Sequence, residues 1–141
     1  MSSFVLDASV AFSWCFPGDP TENTAYSRAV LNRLEQDDAV VPEIWPFEIA
    51  NSLYISFARR QRITEEQIRE YLQDLRDLPI RVERQDLWSN VSLESLARKH
   101  GVTVYDCSYL NLAMRLHLPL ATADGPLKRA AIDADVRLVE P

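Results

Sequence analysis

Residues 102–130 read VTVYDCSYLNLAMRLHLPLATADGPLKRA, and they hold the units that decide the fold: a helix, a short apolar strand, and a turn into another helix. From Tyr105 to His117 the apolar residues recur at helical spacing, which places each position around an axis at about 100° per residue. With Asp106 at zero, Ser108, Asn111 and Arg115 fall at about 200°, 140° and 180°. The polar face therefore lies opposite Asp106. The aspartate shares its side with Tyr109, Leu110 and Ala113, where an ionised carboxylate is unfavourable unless something pairs with it. Taken alone, Asp106 also reads as an N-cap or first-turn acid favoured by the helix dipole. Pro119 to Thr122 is a short strand leading to Asp124-Gly125-Pro126, a turn signature, and Leu127 to Ile132 continues as a helix.

Working outward, the same alternation appears in the rest of the chain. Ser3 to Leu6 is an apolar strand that ends on Asp7, and Ala8 to Phe16 reads as a brief helix broken by Pro17-Gly18-Asp19-Pro20. Helical spacing of Ala25, Ala29, Val30 and Leu34 marks a helix between Glu22 and Gln36. Ala39 to Val41 is the next strand, closed by Pro42. A long helical pattern then runs from Phe47 to about Gln61, with Pro46 suited to the first position and Glu48 in the first turn. On it, Ser52, Ser56 and Arg59 fall at about 40°, 80° and 20° from Glu48 and form a polar stripe. Phe47, Ala50, Leu53, Tyr54 and Phe57 supply the apolar side.

Thr64-Glu65-Glu66-Gln67 matches a capping box and opens a helix through Leu78, which makes an αα-hairpin with the one before. The arginines at 59, 60 and 62 read as a solvated helix end. Ile80 to Val82 is a strand, Asp86 caps a helix ending at His100-Gly101, and Trp88, Val91, Leu93 and Leu96 on it are core or interface. Val136 to Val139 closes the sheet. Short apolar strands alternating with helices indicate a mainly parallel, helix-covered α/β sheet.

A chain of 141 residues with 47% apolar and 26% charged residues fits one globular domain over residues 1–141. No apolar run is long enough to span a bilayer, and the start has no basic segment before an apolar one, so a cytoplasmic protein without a membrane role is expected. Cys15 and Cys107 show no metal spacing and read as reduced, small apolar residues. The net charge of −6 excludes a protein that coats nucleic acid through its own positive charge. It does not exclude a nuclease, because a divalent ion in an acidic site reverses the local field where a phosphate approaches.

Asp7, Glu48, Asp106 and Asp124 share one description: each follows a strand or apolar segment or opens the helix after one. If the strands are parallel, their carboxyl ends lie on one edge and bring distant residues together there. Clustered carboxylates raise one another's pKa values unless a cation neutralises them, and an all-oxygen set favours Mg²⁺ or Mn²⁺ over zinc. Phosphodiester hydrolysis is the chemistry such a site supports.

Four segments then carry a family resemblance: Val5-Leu6-Asp7-Ala8-Ser9, Pro42 through Glu48-Ile49-Ala50-Asn51-Ser52-Leu53, Tyr105-Asp106-Cys107-Ser108-Tyr109-Leu110 with Leu112-Ala113, and Ala121-Thr122-Ala123-Asp124. In this order and spacing the chain resembles, over essentially its whole length, the PIN-domain ribonucleases, and most the toxin nucleases of the VapBC toxin–antitoxin type. The resemblance implies a PIN-like three-layer α/β/α fold and endoribonuclease activity as the toxin of a type II toxin–antitoxin system. It makes Asp7, Glu48, Asp106 and Asp124 the acidic, catalytic constellation for Mg²⁺ or Mn²⁺, with Ser9 and Thr122 as hydroxyls that hold a carboxylate or a water. It also implies an RNA substrate, a homodimer, and a cognate VapB-type antitoxin. Two other readings compete: a non-catalytic PIN-like binding module, and a receiver-type phospho-acceptor domain. The second wants an acidic partner beside the first strand's aspartate, and Asp7 has none. An aspartyl phosphatase wants an acid at position 9, which is serine.

Overall fold

The structure, a computed structural model, describes residues 2–140, so Met1 and Pro141, the two ends of the expected domain, lie outside the described residues. Four strands form one sheet: β1 (Ser3–Leu6), β2 (Asp38–Pro42), β3 (Ile80–Glu83) and β4 (Leu120–Ala121), in the order β3-β2-β1-β4. All three pairings are parallel. Phe4, Val5 and Leu6 of the central strand are fully buried, as are Ala39, Val40 and Val41 of β2. Such continuous apolar runs are what a strand covered on both faces requires. The covering elements are α1 (Ala8–Ser13), α2 (Ala25–Arg33), α3 (Trp45–Tyr54), α4 (Glu65–Arg76), α5 (Leu87–Val91), α6 (Leu93–His100), α7 (Val104–Leu116) and α8 (Gly125–Asp133). The result is the expected PIN-like α/β/α arrangement of a parallel sheet flanked by helices.

The parallel register fixes where the functional edge lies. Leu6 pairs with Ala121, Val5 with Val40, and Pro42 with Glu83, so the carboxyl ends of the strands stand along one side of the sheet. The amide of Asp7 donates to the carbonyl of Ala121 at 3.0 Å and carries the β1–β4 ladder to that edge. Helix α7 packs against β1 and β2 and buries Cys107, Tyr109, Leu110, Leu112 and Ala113. Helix α4 is tied in by Tyr71, whose hydroxyl donates to the carbonyl of Ala11 at 2.5 Å. The capping box at its start is present in full, Thr64 accepting from Gln67 N and Gln67 Oε1 from Thr64 N.

Several local expectations are corrected. The helix expected from Phe47 to about Gln61 is shifted and mixed: α3 starts two residues earlier and passes into a π-helical turn over Ile55–Arg59, where Arg60 N donates to Ile55 O. Its buried line is Trp45, Ile49, Leu53 and Ser56, while Phe47, Tyr54 and Phe57 face solvent. Ser56 therefore leaves the polar stripe: at about 80° from Glu48 it lies between Trp45 at about 60° and Ile49 at about 100°, on the buried line. Of the three arginines, Arg62 is not a free helix end. It pairs with Glu22 at 3.1 Å and Asp19 at 3.7 Å and stacks over Phe16.

The helix after Asp86 divides into α5 and α6 at Ser92, whose hydroxyl donates back to Trp88 O and competes with helix continuation. Leu93 is buried with Ala97 and Cys107, but Leu87, Trp88 and Val91 are exposed, which removes the core reading for that half. At the C-terminus, Val136 to Val139 does not form a strand. Among the described residues it contributes one isolated parallel bridge, Leu120 with Leu138, because β4 offers only two residues to pair with.

Candidate active site

Asp7 leaves β1 at the carboxyl edge and serves as the N-cap of α1, its Oδ1 accepting from Ser9 N at 3.3 Å. Only 5% of it is exposed. Its other oxygen accepts from two hydroxyls, Ser9 Oγ at 2.9 Å and Thr122 Oγ1 at 2.8 Å. The sequence resemblance gave these two residues the task of holding a carboxylate, and both hold this one. Thr122, itself buried, also accepts the amide of Asp124 at 3.1 Å, so a single hydroxyl joins the ends of β1 and β4. Burial pushes the Asp7 pKa up, the hydroxyls pull it back, and repulsion from Asp124 adds to the rise.

Asp124 is the N-cap of α8, with Oδ2 accepting from Leu127 N at 3.0 Å. Asp106 lies in the first turn of α7, where Thr103 is the cap, so the N-cap alternative for it falls away. Its carboxyl is held above the usual range by burial and then by the charges of Asp124 and Asp7. Glu48, in the first turn of α3, is also pushed up by burial, and by Asp7 and Asp106. Asp7, Glu48 and Asp106 are thus each raised in part by another acid of the set, with Asp124 acting on Asp7 and Asp106, although the four come from four separate segments.

One partner was not singled out from sequence. Tyr109 is fully buried, and its hydroxyl donates to Glu48 Oε1 at 2.5 Å while accepting the amide of Ala8 at 3.4 Å. Burial and the Glu48 charge raise its pKa, so the phenol keeps its proton and remains a donor. It stands one turn after Asp106 on α7, which links the helix that carries Asp106 to Glu48 and to the backbone that follows Asp7. The available signal was the count that put Tyr109 on the same helix side as Asp106.

The donor set is oxygen only, as the hard divalent ions require. Among the described residues no three Asp, Glu, His or Cys side chains are gathered into a group that encloses an ion. The geometry is an edge of electrostatically coupled carboxylates rather than a closed cage, the arrangement that mutual repulsion favours for like charges. A divalent cation neutralises that repulsion, so the chemistry of the set fits one. Both cysteines are free thiols, Cys107 buried and Cys15 partly so. No helix is long and apolar enough to cross a membrane among the described residues.

Residues 4–133 match the PIN domain family. Over 125 residues the sequence is 29% identical to Ribonuclease VapC3 of Pyrobaculum aerophilum, a match that covers 87% of this chain and 90% of that protein. The fold is similar to that of PAE2754 from Pyrobaculum aerophilum, with a TM-score of 0.66 and 20% identity over 92% of this chain and 79% of the other. It is also similar to FitAcB from Neisseria gonorrhoeae, with a TM-score of 0.57 and 21% identity over 100% of this chain and 98% of that one.

Proposed function

The chain belongs to the PIN-domain family, and from that premise we propose that it is a divalent-metal-dependent endoribonuclease acting as the toxin of a type II toxin–antitoxin pair. The observation that carries this reading is the set Asp7, Glu48, Asp106 and Asp124 on one sheet edge, where the carboxyls of Asp7, Glu48 and Asp106 are each raised by burial and by neighbouring acids of the set. Similarity to Ribonuclease VapC3 supports RNA as the substrate.

In this proposal Asp7 and Asp106 hold Mg²⁺ or Mn²⁺ directly, and Glu48 and Asp124 complete the shell or orient the attacking water. The ion supplies the positive charge that activates water and neutralises the phosphoryl and leaving oxygens. The protein's part is placement. Ser9 and Thr122 keep Asp7 in one rotamer, and Tyr109 occupies Oε1 of Glu48, which leaves Oε2 without a hydrogen bond among the described residues. A carboxylate held this way is also placed to accept the proton of the attacking water.

The protein works in the cytoplasm as one PIN-like unit in this reading, and two surfaces support protein partners. Leu87, Trp88 and Val91 on α5 lie exposed with Val82 on the edge strand β3, which supports a homodimer. Phe47, Tyr54 and Phe57 form another exposed apolar row, which supports a VapB-type antitoxin whose basic residues meet the acidic edge. The test of activity is cleavage of cellular RNA with Mg²⁺ or Mn²⁺, with new 5′ ends mapped. Asp7→Asn and Asp106→Asn are each expected to abolish cutting while leaving the fold intact or more stable. Undiminished cutting by both variants overturns the assignment and leaves the fold to a binding role.

A further inference from the structure

A cavity of about 320 Å³ opens on the same carboxyl edge of the sheet, reached by Pro42 at the end of β2 and Glu83 at the end of β3. Its walls include Phe47 and Tyr105, which immediately precede Glu48 and Asp106 and are 71% and 60% exposed. Neither aromatic contributes to the buried core. The pocket thus adjoins the acids without containing them.

Its polar wall has a fixed direction. Asn90 Nδ2 donates to Glu43 Oε2 at 3.2 Å, Gln85 Nε2 to Asn90 Oδ1 at 2.9 Å, and Asn111 Nδ2 to Gln85 Oε1 at 3.4 Å. Carboxamide orientations are ordinarily interchangeable, but a carboxylate only accepts, so Glu43 at the end of the chain sets all three. The relay leaves Asn111 Oδ1 as an acceptor with no donor among the described residues. The Glu83 carboxylate is another acceptor on the same wall. Two acids here repel a phosphate, whereas a flat neutral ring is accepted by the exposed aromatic faces and meets acceptors at its edge.

We infer that this cavity is a base-recognition subsite that takes one unpaired RNA nucleobase carrying an exocyclic amine, adenine, cytosine or guanine, beside the scissile phosphate, with Asn111 as the reading residue. This rests on the ribonuclease reading for the adjacent acids. Uracil has no exocyclic amine: both its exocyclic groups are carbonyl oxygens, which meet Asn111 Oδ1 acceptor to acceptor, and the ring N3–H recessed between them is its single donor on that edge. Arg115, also on the wall, makes no ion pair among the described residues and is available to a ring nitrogen or carbonyl. The apolar side chains Leu87, Trp88 and Val91 do not line the cavity, so a partner that covers only these three leaves it open.

The test uses neutral nucleosides, which need no metal and feel no repulsion from the acids. Adenosine, cytidine and guanosine, added to the ¹⁵N-labelled protein, are expected to shift the side-chain amide resonances of Asn111, Gln85 and Asn90, with uridine weaker by about tenfold. Asn111→Ala is expected to equalise the four. Equal response to uridine, no response to any nucleoside, or discrimination that survives Asn111→Ala overturns the subsite. So does a shift of these amides with protein concentration instead of nucleoside, which assigns the cavity to a second copy of the chain. Cleavage of uridine-only and mixed-base oligonucleotides with Mn²⁺ is read alongside. Equal cutting of both overturns the subsite and keeps the nuclease; selective nucleoside binding without any cutting keeps the subsite and overturns the nuclease.

Discussion

Removing one oxygen tests whether Tyr109 acts through Glu48. In Tyr109→Phe the ring keeps its buried packing, but Glu48 loses the donor at 2.5 Å and the Ala8 amide loses its acceptor at 3.4 Å. A hydrogen bond to a charged group contributes about 1.5–3 kcal/mol, and water replaces part of it at a half-buried carboxylate, so a net loss of about 1–2 kcal/mol is expected. For a chain of this length that lowers Tm by about 3–8 °C. The functional effect is larger in proportion. Groups that orient a metal's carboxylates typically change affinity or activity by about 10–100-fold when removed. The assay is calorimetric titration with Mn²⁺ beside RNA cleavage at rising Mn²⁺, for the wild type, Tyr109→Phe, Glu48→Gln and the double variant. We expect weaker ion binding in Tyr109→Phe, unchanged KM for RNA, and no further loss when Tyr109→Phe is added to Glu48→Gln. Additive losses in the double variant would show that the phenol does not work through Glu48 and would refute the reasoning.

Two more predictions follow from the same edge. Thr122→Val keeps the shape of a buried side chain but leaves Asp7 Oδ2 and the Asp124 amide each short of a partner, so stability falls by about 1–3 kcal/mol in urea melts, and Thr122→Ser restores most of it; equal midpoints for Val and wild type would count against the bridge. The metal-free protein is also expected to melt higher at mildly acidic than at neutral pH. Asp7, Glu48 and Asp106 have folded pKa values raised above the unfolded ones, so the folded state binds their protons more tightly, and stability declines as pH rises from the ordinary carboxylate values through the raised ones. The lowered carboxyls Asp19, Asp37, Asp86 and Glu94 act in the opposite sense, and only below the ordinary values. A Tm that climbs with pH across that window in chelator would contradict the electrostatic coupling.

Much of this edge is legible in the residues themselves, for local reasons. SFVL before Asp7 and the DAVVP strand before Glu48 announce strands by unbroken apolar runs. Thr64 with Gln67 announces a helix start by a contact three residues long. The four acids stand out because each follows such a signal. What escapes is whatever depends on partners far away in the chain. Nothing near Tyr109 states that its hydroxyl meets a carboxylate 61 residues earlier. The helix count from Glu48 puts Ser56 at an angle between those of Trp45 and Ile49, but nothing local states that this side, rather than the one bearing Phe47, Tyr54 and Phe57, faces the core. The expected final strand fails for a related reason, since strand existence depends on how much its neighbour offers for pairing.

The Thr122 to Asp7 hydrogen bond also has a bearing on the order in which the protein comes into being. Its two ends are 115 residues apart, and β1, the first strand made, waits between β2 and the last strand, β4. During synthesis at about 5–20 residues per second, Asp7 precedes Thr122 by roughly 6–23 seconds. A nascent chain on the ribosome therefore carries the first acid without its second hydroxyl, without Asp124 and without one flank of its sheet. The fold itself postpones the assembled edge until Thr122 and Asp124 have both been made.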